Sequence, residues 1–91
     1  SLGDFIPSQG DEVLTQREDD KREYGKLLCR NDRLVGANFF NMDVDGGVLQ
    51  YLIRNRIDIA SCKEQLLENP KEVSLWLMHE AEKRGTLSLE Q

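Results

Sequence analysis

Two apolar runs flanking a polar pair stand out in the chain: YGKLLCR, then Asn31-Asp32, then RLVGANFF. Asn and Asp both tolerate positive φ, which a two-residue type I′ turn requires, so the pattern predicts a β-hairpin. With that turn Arg30 faces Arg33, Leu28 faces Val35, Lys26 faces Ala37 and Tyr24 faces Phe39. Leu27, Cys29, Leu34 and Phe40 then share the opposite face with Gly25, Gly36 and Asn38. Large apolar side chains fall on both faces, whereas a sheet with one wet face alternates cleanly. Both faces are therefore expected to be covered, one of them by the domain's own helices. Upstream, SLGDFIPSQG is punctuated by Gly3, Pro7 and Gly10 and reads as turns. DEVLTQR offers a third strand, with Val13 and Thr15 on one side and Leu14 on the other, and EDDKRE is a charged loop.

Downstream the period changes. Val48, Leu49, Leu52 and Ile53 in GGVLQYLIRNR form one stripe of a short helix. RIDIA is extended or turning, and Ser61-Cys62-Lys63-Glu64 fits a capping box that opens a second helix carrying Leu66 and Leu67. Asn69-Pro70-Lys71-Glu72 reads as another helix start, with Pro at the first helical position. That third helix is expected to bury Val73, Trp76, Leu77, Met78 and Ala81 and to stop at Lys83-Arg84-Gly85, leaving TLSLEQ frayed. Strands first and helices after predict an α+β domain: a small three-stranded antiparallel sheet, hairpin included, followed by two or three helices.

With 91 residues one small domain is expected over 1–91. Apolar residues make up 38% and charged residues 32%, which is globular composition. The net charge of −5 argues against nucleic acid and against an anionic membrane surface. No apolar run is long enough to span a bilayer. Cys29 and Cys62 have neither CxxC nor zinc spacing, so they read as small buried hydrophobes of a reducing cytoplasm. The chain opens on Ser1 rather than Met, so a piece excised from a longer protein is expected.

The chemistry worth testing lies in NMDVDGGVL, residues 41–49. Asn41, Asp43, Asp45 and Gly46 match the first half of an EF-hand calcium loop. The second half fails: Leu49 falls at position 9 and Leu52 at position 12, where a bidentate Glu is needed. The segment also follows a strand rather than a helix. Its aspartates are better read as acceptors for the free N–H groups of a helix start. Gly46 and Gly47 cost about 1 kcal/mol each against alanine, which suggests close packing of that helix start on another backbone. Phosphate binding there is disfavoured by the two aspartates. His79 is the only histidine, in MHEAEKR, and reads as a solvated helix position with no metal or triad partner. Trp76 and Tyr51 read as core anchors.

RLVGANFFNMDVDGGVLQYLIRNRIDI resembles the small C-terminal domain of FAD-dependent pyridine nucleotide-disulfide oxidoreductases. The nearest branch is that of NADH-rubredoxin reductases and the large subunit of NAD(P)H nitrite reductases. Leu34-Val35-Gly36-Ala37, Gly47, Leu49, Leu52, Ile53 and Asp58 carry the likeness, as do Ser1-x-Gly3-Asp4 and Tyr24-x-Lys26-Leu27. It covers roughly 3–69, and the helix and tail of 70–91 are additional. Asn41-Met42, Gly46 and the Asn31-Asp32 turn depart from the family's usual residues. The resemblance implies a non-catalytic domain that packs on upstream FAD- and NAD(P)H-binding domains of the same chain and shapes a subunit or partner interface. It implies FAD and NAD(P)H for the parent protein and no cofactor bound by this domain itself. It also implies that Asp4 and Phe5 approach the flavin. Leu27, Cys29, Leu34 and Phe40 are the candidate interface, with a homodimer as one possible use. The rival reading is a free-standing interaction or dimerisation module.

Overall fold

The computed structural model describes residues 2–3 and 7–90. Its four strands are β1 (Leu2–Gly3), β2 (Glu12–Glu18), β3 (Glu23–Arg30) and β4 (Arg33–Phe40). They form one antiparallel sheet in the order β1-β4-β3-β2. Three helices follow: α1 (Gly46–Arg54), α2 (Lys63–Glu68) and α3 (Pro70–Glu90). The α+β class and the three main strands are as the sequence pattern implies. The two-residue β1, which pairs Leu2 with Ala37 and Gly3 with Gly36, adds an edge beside β4 that the turn-rich N-terminal segment did not announce.

Asn31 and Asp32 both take positive φ (51° and 63°), so the hairpin turn is of the expected kind. The register is not the simple one. Arg30 pairs with Arg33 and Cys29 with Leu34, but Leu28 pairs with Gly36, leaving Val35 as the extra residue of a β-bulge. Beyond it Lys26 faces Asn38 and Tyr24 faces Phe40, one residue later than an uninterrupted ladder predicts. The bulge shifts the alternation, so Leu34, Ala37 and Phe39 all turn toward the helices while Phe40 turns away.

The core lies between that face and the helices. Leu27, Cys29, Leu34 and Ala37 from the sheet meet Leu49, Leu52, Ile59, Cys62, Leu66 and Leu67. α1 and α2 rest on the sheet, and α3 packs across both helices. Gly25 makes room beneath Phe39 and Leu67. A Cβ there would stand 3.0 Å from Phe39 Cε1 and 3.1 Å from Leu67 Cδ1. Ile59 is fully buried, and its N–H donates to the Asp32 carbonyl at 2.9 Å, tying the turn after α1 to the hairpin.

α1 ends in a Schellman motif. Ile57 N–H donates to Leu52 O at 3.2 Å and Arg56 N–H to Ile53 O at 3.3 Å, with Arg56 at φ 50° where glycine is usual. α2 opens at Cys62 with no side-chain cap, so the S-x-x-E signal does not operate as a capping box. α3 begins at Pro70 as expected but continues through Lys83, Arg84 and Gly85 to Glu90. Gly85 is not among the glycines with positive φ, and a helical glycine costs only about 1 kcal/mol, so it does not end the helix. The buried side of α3 carries Pro70, Ser74 and Leu77, flanked by the half-buried Val73 and Ala81. Trp76 lies off that stripe and is 55% exposed, not a core anchor. The fully buried Ser74, whose Oγ donates to Lys71 O at 3.1 Å, lets the helix approach closely instead.

Candidate functional site

The loop between β4 and α1 is built for the helix that follows it. Asp45 is extended (φ −110°), and its carboxylate accepts the Val48 N–H at 3.1 Å while its carbonyl accepts the Leu49 N–H at 3.0 Å. That is a side-chain N-cap, which satisfies one of the free donors of the first turn. Asn41 stands in the left-handed region (φ 59°), and its Nδ2 donates to the Lys21 carbonyl at 3.0 Å, fastening the loop to the β2–β3 turn. Asp43 is exposed and lies 3.5 Å from Lys71 Nζ. Leu52, the residue at the glutamate position of a calcium loop, is wholly buried in the core. Gly46 and Gly47 are exposed, and a Cβ on Gly46 would meet nothing within 4 Å, so the close backbone packing expected of them is absent. Among the described residues no group of three or more His, Cys, Asp or Glu converges as a metal site.

Of the four candidate interface residues, Leu27, Cys29 and Leu34 are 0–1% exposed beneath the domain's own helices. They are core, and the bulge beyond Leu34 turns Phe40 to the other side. The opposite face of the sheet is turned away from the helices. It carries Phe40, 66% exposed and paired across the strands with Tyr24, and Val13, 44% exposed. Thr15, Arg17, Lys26 and Asn38 lie among them, and Leu28, on the same face, is 1% exposed. Asp4 and Phe5, the residues implied to approach a flavin, lie outside the described residues.

Ion pairs brace the hairpin end of the sheet. Arg30 grips the Asp11 carboxylate with Nε at 2.8 Å and Nη2 at 2.9 Å, and the Ser8 N–H donates to the same carboxylate at 2.7 Å. The Arg30 guanidinium, followed by the Ser8 amide, holds the Asp11 carboxyl down to about 2. Lys63 Nζ donates to Glu12 and Asp32, both at 2.6 Å, joining α2 to β2 and to the hairpin turn. Those two carboxylates push the Lys63 ammonium well above its usual range. Sequence spacing carries no sign of either cluster, because each joins residues far apart in the chain. Cys29 and Cys62 are both free thiols. Burial pushes Cys29 up to about 11 and raises Cys62 as well, which keeps both protonated and poorly nucleophilic. His79 is exposed on α3. Among the described residues no helix is long and apolar enough to cross a membrane.

No family model matches the sequence, and no curated protein or solved structure is detectably similar to it.

Proposed function

We propose that the chain is a non-catalytic C-terminal domain of a cytoplasmic, flavin-dependent NAD(P)H oxidoreductase, packing on an FAD-binding domain and shaping a subunit or partner interface. The observation that carries this reading is the meeting of Gly3 with Gly36 across β1 and β4. The two glycines come from the two segments, Ser1-x-Gly3-Asp4 and Leu34-Val35-Gly36-Ala37, that separately resemble the family. Gly3 has φ 77°, and a Cβ on it would collide with the Val35 carbonyl oxygen. The resembling residues are therefore coupled by a steric requirement of this fold. The other resembling positions are also structural: Leu49 and Leu52 are core, and Asp58 accepts the Ala60 N–H at 2.9 Å. In this reading the exposed Phe40 and Val13 and the half-buried Tyr24 pack on the neighbouring domain, and FAD and NAD(P)H belong to the parent protein.

The test is the complete gene product. Its coding sequence is expected to hold GxGxxG segments upstream, and the purified protein to show the absorption of an oxidised flavin. A complete product without upstream nucleotide-binding segments and without flavin overturns the proposal. Sedimentation of that product as a dimer that dissociates on Phe40→Asp would then establish the dimerisation module in its place.

A further inference from the structure

Among the described residues Arg22, Arg33, Arg54, Arg56 and Arg84 have no ion-pair partner, although the chain holds 17 acidic residues against 12 Lys and Arg. Two such arginines stand together at one end of the sheet. A cleft of about 550 Å³ between the β3–β4 turn and the C-terminal end of α1 is lined by Arg30, Asn31, Arg33, Val35, Ile53 and Arg56, with Leu34 beneath. Of the carboxylates nearby, Asp11 is paired with Arg30 and Asp32 with Lys63, while Asp58, opposite Arg33 in an isolated antiparallel bridge, accepts the Ala60 N–H and forms no ion pair among the described residues. Among the described residues neither Arg33 nor Arg56 has an ion-pair partner. Arg33 is anchored rather than loose, because its Nη1 donates to the Asn31 carbonyl at 2.7 Å across the turn. Its other N–H groups remain for a ligand.

The position of Arg56 points the same way. It is the C′ residue of the Schellman motif, where a left-handed arginine replaces the usual glycine at a cost of about 1 kcal/mol. Complementing the α1 dipole does not require it, since Arg54 already stands in the last turn. We propose that this cleft binds a phosphate monoester, with Arg33 and Arg56 on the phosphate and Val35 and Ile53 against its organic group. A phosphate monoester near neutral pH carries close to two negative charges and presents three terminal oxygens, which match two guanidinium forks. A carboxylate carries one charge and fills one fork. The proposal does not depend on the flavoprotein reading.

The test is titration of the 91-residue chain, followed by 1H–15N spectra at low chloride, with phenyl phosphate, inorganic phosphate, benzoate and phenol. Phenyl phosphate is expected to bind most tightly, shifting the amides of Arg33, Val35, Ile53 and Arg56. Arg33→Ala and Arg56→Gly are each expected to weaken it by about 10-fold or more, the loss of a charge-assisted contact. Arg56→Gly removes the guanidinium while relieving the left-handed backbone, so its melting temperature is expected to hold or rise, and weaker binding cannot be ascribed to unfolding. Benzoate binding as tightly as phenyl phosphate overturns the phosphate assignment. Inorganic phosphate matching phenyl phosphate overturns the apolar floor. Shifts spread over every surface cation, or undiminished binding by Arg56→Gly, overturn the site.

Discussion

Replacing Leu52 with glutamate supplies the residue that a calcium loop starting at Asn41 lacks, so it sets the pattern of the sequence against the packing of the fold. Leu52 is 0% exposed among Leu27, Leu34, Leu49 and Leu66. Losing its apolar side chain costs about 2–5 kcal/mol, the range for large-to-small changes in a core. A buried carboxyl without a partner adds about 1–3 kcal/mol even after it takes up a proton. For 91 residues the whole folding free energy is about 5–14 kcal/mol. Leu52→Glu therefore removes most or all of the stability, and Leu52→Ala, which omits the carboxyl, lowers the melting temperature by about 10–40 °C. Far-UV circular dichroism in urea and on heating measures both, with and without millimolar calcium. Trp76 fluorescence is the poorer probe, because the indole is 55% exposed in the native state. A Leu52→Glu protein that folds and gains melting temperature with calcium would show that Leu52 faces the loop rather than the core, and the account of the β4–α1 junction would fall.

Three further outcomes follow from the geometry. Asp11 is held down to about 2 from 3.8, so its pairing with Arg30 stabilises the fold fully above the unfolded value and fades as pH falls toward 2. The stability gap between the wild type and Asp11→Asn should narrow over that window in urea titrations, and a gap constant with pH refutes the pairing. Gly25→Ala forces a Cβ against Phe39 and Leu67 and should cost about 1–3 kcal/mol, whereas Gly46→Ala, with nothing within 4 Å, should gain about 0.5–1 kcal/mol. Equal denaturation midpoints for the two variants would contradict the packing. A thiol reagent should leave Cys29 and Cys62 unmodified in the native protein and label both in urea, and rapid native labelling would show that they are not buried.

What was legible in the sequence was governed by local chemistry. The Asn31-Asp32 turn, the Asp45 cap and the Pro70 helix start each depend on a few adjacent residues, and each stands where its residue type demands. The errors arose where a distant partner decides. Val35 bulges in a ladder that alternation alone would leave regular, so pairing by counting from the turn put Phe40 on the wrong face. Cys62, not Ser61, precedes α2, because Cys62 is drawn into the core beside Leu66. The helix stripe predicts Trp76 in the core, yet the small Ser74 occupies the buried side and the indole is 55% exposed. The arginine cleft was invisible because its residues come from β3, β4 and the end of α1 and converge only through the fold.

The bulge also bears on which kind of partner the remaining sheet face suits. By sending Ala37 and Phe39 inward with Leu34, it leaves outside, among the described residues, Val13, Tyr24 and Phe40 as large apolar groups with exposed surface, interleaved with Thr15, Arg17, Lys26 and Asn38. Obligate dimer interfaces resemble a domain core cut in half and are depleted of charge at their centre. Contacts between domains of one chain are smaller and more polar, because the covalent link holds the partners at high effective concentration and less apolar burial suffices. An aromatic pair set among charged and amide side chains resembles the second kind in composition. Under the proposed function, that composition suits packing on a neighbouring domain of the same chain better than pairing with an obligate second copy.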